Sequence, residues 1–416
     1  MKLDSARELK RALLAAPEFR RVTPYRSGPS PLVLASFPAG GAAASVPLPV
    51  ALGIAGSRRS YRLAVRVHQP FPGIGHWLER VRELARDEVD VRVVGRVMRQ
   101  ATRRAVATAP WSATRHRPVA LGTSIGHARV TAGTLGAFVE AASGATGARF
   151  LLSNNHVLAD EDRAKKGDAV LQPGRADGGR VPEDVVARFE RAVRLKPTAN
   201  LVDAALARVD EAVAIDVERV RGLGRLAGER AGPMAPGDKV AKLGRTTGLT
   251  RGVVSAIEVD RVIVGYEQGE HRFDDQLEIT GLGREPFSRG GDSGSLILDA
   301  GRFASALLFA GNDADTTYAH PIAAVFVALK VRLIGVAPAI RGATGARSHA
   351  AARRKAHALF SAHGRVTGVG MTKLRGKPAL KVNFARPPRA RARMPKEVAG
   401  LPVVVAVVGE IKKQEA

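Results

Sequence analysis

Gly291-Asp292-Ser293-Gly294-Ser295, running into the apolar strand Leu296-Ile297-Leu298, is the stretch whose reading decides the fold. A serine between glycines at the mouth of a strand is held on a tight loop. The glycines let the backbone bend and leave main-chain N–H groups free to face a substrate carbonyl. Glycine, aspartate and serine are also ordinary turn residues, so the motif takes its meaning from its company. Upstream, residues 150–159 (FLLSNNHVLA) form a strand-like apolar run ending in a polar bend that carries His156. Between the two, residues 201–207 (LVDAALA) place one carboxylate, Asp203, in an otherwise apolar stretch.

These are the residue types that acyl transfer from an amide needs. Serine is a weak nucleophile until a base takes its proton, and histidine does so near neutral pH. The imidazolium that forms needs a carboxylate to hold its tautomer and offset its charge. The chain order is His156, Asp203, Ser293, with gaps of 47 and 90 residues, and it matches the chymotrypsin-type order, not the subtilisin or α/β-hydrolase orders.

On these residues the chain resembles the trypsin-like (chymotrypsin-fold) serine peptidases. It looks closest to a bacterial branch carrying Leu-Ser-Asn-Asn-His-Val-Leu-Ala and Gly-Asp-Ser-Gly-Ser, to which the plant Narrow-leaf-1 type proteins are similar. Three further segments agree in order. Residues 133–139 read as the first barrel strand. Gln172-Pro173-Gly174 with Asp177-Gly178-Gly179 reads as a loop after the histidine, and residues 240–252 as a hairpin opening a second barrel. The likeness spans about Leu121 to Ile334 and implies a double β-barrel with the triad in the cleft between barrels. Ser293 would attack, His156 would shuttle the proton, Asp203 would hold His156, and the N–H groups of Gly291 and Ser293 would form the oxyanion hole.

Two departures limit what carries over. Six residues before the serine, where digestive relatives often set a pocket charge, stands Phe287; with Phe309 and Gly311 on the strand after the nucleophile it suggests a shallow or apolar pocket. A preference for Lys or Arg in that pocket does not follow. In zymogen-type relatives Asp292 would pair with a newly released N-terminal amine. Here roughly 120 residues precede the barrel, and that switch is not expected to operate. Asn154 and Asn155 are expected to serve the bend through side-chain to backbone bonds. His127, His271 and His320 have no triad-like context and read as surface or core-edge histidines.

At 416 residues the chain has room for two or three domains. No apolar run of about twenty residues argues for a membrane span, and charges interrupt residues 1–8 as a signal peptide. Ser5 and Glu8 read instead as a capping box. There is no cysteine, which fits a cytoplasmic setting and excludes thiolate metal sites. No metal-ligand spacing and no cofactor motif is read.

Charge is unevenly placed. Residues 1–120 hold 21 Lys+Arg against 8 Asp+Glu, residues 121–335 hold 27 against 28, and residues 336–416 hold 17 against 3. The centre is neutral and the flanks carry the +26 total. The flanks also resemble each other. Leu63–Val67 matches Leu380–Phe384 at an offset of 317, and Val91–Val97 matches Val405–Ile411 at 314. A helix-like stretch precedes each pair, residues 6–16 and 351–362. Residues 74–86 between the first pair also read as helical, and residues 27–53 as an Ala/Gly/Pro-rich surface loop. The expected organisation is a basic α+β module (1–120), the double barrel (121–335) and a related basic α+β module (336–416).

The functional reading is a cofactor-free, cytoplasmic serine endopeptidase acting on a protein or peptide. Residues 386–393 (RPPRARAR) could neutralise nucleic-acid phosphates or dock an acidic protein partner, although few aromatics interleave them for base stacking. The alternative is a peptidase-fold binding or scaffolding protein whose flanks mask the cleft. An esterase acting on small acyl groups would use the same triad.

Overall fold

The computed structural model describes residues 1–16, 21–22, 46–71, 73–99, 110–143, 147–197, 199–283, 285–312, 315–335, 355–356, 358–364, 366–374, 377–384, 386–388 and 394–407. It is mainly β, a chymotrypsin-like double β-barrel with α+β flanks. The second barrel closes as a ring of six strands. Lys239–Gly244 pairs Gly248–Asp260, followed in turn by Gln276–Gly281, Thr316–Pro321, Phe303–Gly311 and Leu296–Asp299, which returns to Lys239–Gly244. Gly248–Asp260 alternates buried and half-exposed residues over much of its length, the period of a sheet with one face on a core. Phe303–Gly311 is buried almost throughout, because both of its faces are covered.

The first barrel is an open sheet in the order Val331–Leu333, Ala137–Ala141, Arg149–Ser153, Ala205–Val209, Val185–Ala192, Ala169–Leu171, Ser124–His127, Gly133–Thr134. Residues 133–139 are therefore two short strands, broken at Leu135 and Gly136, and Ser124–His127 precedes them. Its core is mainly aliphatic, with Phe138, Phe150, Phe189 and Phe326 among residues such as Leu152, Leu206 and Val157.

The chain divides into two compact units, Met1–Ala339 and Ile340–Ala416. Residues 1–120 thus share a unit with the barrels and do not stand apart as a module. Backbone pairing explains this, since Val50–Ser57 pairs antiparallel with Gly248–Asp260 and extends the barrel sheet outward through Ser60–Val67 and Val89–Val93. Gly53 lets the two strands approach, because a Cβ there would lie 2.8 Å from Val259. A buried ion pair completes the junction. Arg66 Nε donates to Glu278 Oε2 at 2.6 Å, and its Nη2 to Asp90 Oδ2 at 2.7 Å. Residues 50–53 are therefore strand, while most of the expected 27–53 loop lies outside the described residues. The helix Leu3–Ala15 begins before Ser5 with no side-chain cap, so Ser5 and Glu8 form no capping box. The burial of Ala6 and Leu13 against the flanking strands sets the helix instead.

The Ile340–Ala416 unit holds a hairpin, Val366–Leu374 with Lys377–Phe384, and Leu401–Val407 parallel to its second strand. Residues 50–93 repeat this pattern with a helix, Ile74–Leu84, in the crossover. The registers coincide at the sequence offsets. Ser57 opposite Ser60 becomes Leu374 opposite Lys377, and Val65 opposite Val91 becomes Val382 opposite Val405. Residues 389–393 of the basic run, and with them most of its arginines, lie outside the described residues. Among the described residues no helix is long and apolar enough to cross a membrane, and no group of three or more candidate metal ligands occurs.

Candidate active site

Each expected catalytic residue sits at the end of a strand. Arg149–Ser153 delivers Asn154 and a single helical turn, Asn155–Leu158, that carries His156. Asp203 lies just before Ala205–Val209, the strand paired with Arg149–Ser153, so the two ladder partners bring acid and base together. His156 Nδ1 meets Asp203 Oδ2 at 2.5 Å. The other carboxylate oxygen accepts the Asn155 N–H at 2.5 Å, and Asn154 Nδ2 donates to the Asp203 carbonyl at 2.7 Å. Both asparagines therefore fix the aspartate as well as the bend.

Two residues outside the expected triad complete this cluster, and one of them corrects the sequence reading: His320 is no surface or core-edge histidine, because it is fully buried against Asp203. The Tyr266 hydroxyl donates to Asp203 Oδ2 at 2.7 Å. His320 Nε2 accepts the Asp203 main-chain N–H at 2.9 Å while its Nδ1 meets Gln276 Oε1 at 2.7 Å. Burial pushes His320 down to about 3, so its ring is neutral and fit to accept. Burial alone would push the Asp203 carboxyl up. The charge and hydrogen bond of His156, with His320 and the Tyr266 hydroxyl, hold it below its ordinary value. Burial, reinforced by Asp203, raises Tyr266 well above its usual range and keeps it a donor.

Ser293 is presented by the loop before Leu296–Asp299. The first barrel grips that loop: Thr134 N–H donates to the Ser293 carbonyl at 2.7 Å, and Thr134 Oγ1 donates to the Gly291 carbonyl at 2.9 Å. Gly291 sits at φ +97°, and a Cβ there would strike Thr246 Oγ1. The N–H groups of Gly291 and Ser293 have no acceptor among the described residues. Asp292 faces inward. It accepts from the N–H groups of Arg289 and Thr246 at 2.9 Å and from Thr247 Oγ1 at 2.7 Å, with Lys242 Nζ 3.3 Å away. Lys242 is the cation that Asp292 meets among the described residues. Burial pushes Lys242 down, against the pull of Asp292.

Ser293 Oγ donates to the Phe309 carbonyl at 3.0 Å, and His156 Nε2 is buried with no partner among the described residues. Ser293 and Asp203 are 0% exposed and His156 is 2% exposed. Phe287 is packed inside the second barrel's core, with Lys242 Nζ 5.9 Å from its ring centroid. The Phe309 ring is stacked on His320, centroids 3.9 Å apart, and lies against Phe273. Neither ring faces an open pocket, because both complete hydrophobic cores; of the three expected pocket residues only Gly311 lies where another strand meets the site. His127 is tied to Asp168 at 3.1 Å, and His271 is tied to the Lys196 carbonyl at 2.7 Å with its ring edge-on to Tyr266, centroids 5.0 Å apart.

No protein-family model matches the chain, and no curated protein does. Solved structures do show similarity. The chymotrypsin of Cellulomonas bogoriensis is 21% identical with a TM-score of 0.36, and the match covers 52% of this chain and 98% of that one. Thermobifida fusca protease A is 17% identical at 0.37, over 52% and 98%. The Nocardiopsis protease is 19% identical at 0.37, also over 52% and 98%.

Proposed function

We propose that the chain is a serine endopeptidase that hydrolyses peptide bonds through an acyl-enzyme. The observation that carries this reading is the His156–Asp203 bond of 2.5 Å, with the far nitrogen of His156 left buried and unpartnered in the cluster that holds Ser293. A buried ring nitrogen without a partner is costly unless a substrate or a serine hydroxyl completes it. Rotation of the Ser293 side chain away from Phe309 would give His156 Nε2 its proton to accept. Ser293 then attacks the carbonyl, Asp203 stabilises the imidazolium, and the N–H groups of Gly291 and Ser293 receive the oxyanion. His156 returns the proton to the leaving amine, and a water molecule repeats the sequence to release the acid. Every step uses side chains and backbone of this chain.

The closer likeness to the Narrow-leaf-1 type proteins rests on the sequence motifs alone. The repeated hairpin-plus-parallel-strand register supports reading residues 50–93 and 366–407 as two copies of one α+β unit. Their basic surfaces are read as docking faces for nucleic acid or an acidic protein. A second reading, a peptidase fold used for binding, is favoured by one observation, the complete burial of Ser293.

Digestion of an unfolded protein such as casein separates the two. The endopeptidase reading expects fragments from the wild type and none from Ser293→Ala. Intact casein with both would favour the binding reading.

A further inference from the structure

The short strand Val97–Arg99 runs through the site between two others. It pairs in parallel with Val262–Tyr266, Val264 opposite Val97, and antiparallel with Phe303–Gly311, Ala310 opposite Arg99 and Gly311 opposite Met98. Its neighbours on either side are therefore separated by two strand spacings, about 10 Å, the width that one extended chain fills. From Met98 to Arg99 the strand advances along its partner from Gly311 to Ala310, toward Phe309, whose carbonyl holds Ser293 Oγ. Val97 is buried among Val264, Tyr266 and Phe309, the residues that back the triad.

The side chain of Arg99 ends on acids. Its Nε lies 2.8 Å from Glu161 Oε1, and its Nη2 donates to Glu267 Oε1 at 2.5 Å. Glu161, five residues after His156, is only 3% exposed. Its carboxylate also accepts the Glu267 and Gln268 N–H groups at 3.2 and 3.3 Å, and its carbonyl accepts Gln268 Nε2. A buried carboxylate needs a charged partner, and among the described residues Arg99 is the cation that Glu161 meets.

We propose that Val97–Arg99 is a tethered internal ligand lying in the substrate slot, and that the slot selects an extended peptide with a basic side chain where Arg99 lies, read by Glu161. The word substrate rests on the endopeptidase reading; the slot and its selectivity do not. Strand addition supplies sequence-independent affinity through the main chain, and the buried acid supplies specificity. It also accounts for a nucleophile with no solvent exposure.

The test uses the full chain as wild type, Arg99→Glu and Met98→Pro. Arg99→Glu puts a third acid beside Glu161 and Glu267, and Met98→Pro removes a ladder hydrogen bond. A melting transition checks the folding of each. The probe is a fluorescein-labelled peptide with the sequence of residues 94–99, Val-Gly-Arg-Val-Met-Arg, followed by anisotropy. Both released variants should bind it about tenfold or more tighter than the wild type. Replacing the last Arg of the peptide by Glu, or adding Glu161→Gln to Arg99→Glu, should weaken binding about tenfold, the worth of a charged hydrogen bond. Fluorophosphonate should modify Ser293 about tenfold faster in the released variants. Equal peptide binding by wild type and variants, or none by any folded variant, would overturn the proposal. Selective binding with no modification anywhere would leave the slot standing and remove the endopeptidase reading.

Discussion

Ser293 Oγ gives its hydrogen bond to the carbonyl of Phe309 at 3.0 Å. The proposed nucleophile thus bonds to the strand that meets Val97–Arg99, and the proposed base, His156 Nε2, has no partner among the described residues. The aspartate side of the site is tied together by hydrogen bonds, whereas Ser293 bonds elsewhere and must turn under the proposed mechanism. Predictions therefore differ for the two halves.

On the assembled side, Asp203→Asn should lower kcat by about 10⁴, because the amide favours the wrong imidazole tautomer. Tyr266→Phe removes a single donor to Asp203 Oδ2. It should cost about tenfold in kcat with little change in KM, the scale of one hydrogen bond to a charged group. Steady-state kinetics on a peptide ester checks both.

Lys242 and Asp292 are both fully buried and 3.3 Å apart. Lys242→Met leaves the carboxylate without its cation and should destabilise the fold by about 3–5 kcal/mol, with activity lost as the 289–293 loop rearranges. Adding Asp292→Asn should return much of that stability. Urea unfolding of the single and double variants measures the coupling.

Gly291→Ala would place a methyl group against Thr246 at a positive φ. The expected result is a fall of about 10²–10³ in kcat, the cost of misaligning one oxyanion donor. Labelling by fluorophosphonate should slow in parallel, since that reagent needs the same donors.

Stability should fall in mild acid. His320 is held near 3 in the fold against an ordinary 6.5, so between those values the unfolded chain binds the extra proton and stability drops as pH falls. Asp275, pushed up to about 6 by burial and by Glu258 and Asp260, acts in the opposite sense, favouring the fold below that pH and opposing it above. Thermal melts from pH 7 to 4 should show a shallower acid loss in His320→Gln than in the wild type.

The proposed triad residues His156, Asp203 and Ser293 drew notice because each sits in a short motif with local meaning. The glycine-flanked serine, the polar bend before His156 and the lone acid at 203 announce themselves within a few residues. Tyr266 and His320 did not, since each meets Asp203 only when strands far apart in the chain, Val262–Tyr266 and Thr316–Pro321, converge on it. The Val50–Ser57 strand was hidden for a different reason. It is buried over its first six residues, so it lacks period-two patterning, and its alanines and glycines resemble a loop. The Arg66–Glu278 pair, 212 residues apart in the chain, binds the first flank to the barrel and leaves no local trace.

The most direct test of the account is peptide mapping after fluorophosphonate treatment of the full chain with Arg99→Glu, beside the same chain also carrying Ser293→Ala. The account predicts one modified residue, Ser293, in the first and none in the second. An unmodified Ser293 in a folded Arg99→Glu chain, or modification that persists in Ser293→Ala, would contradict it.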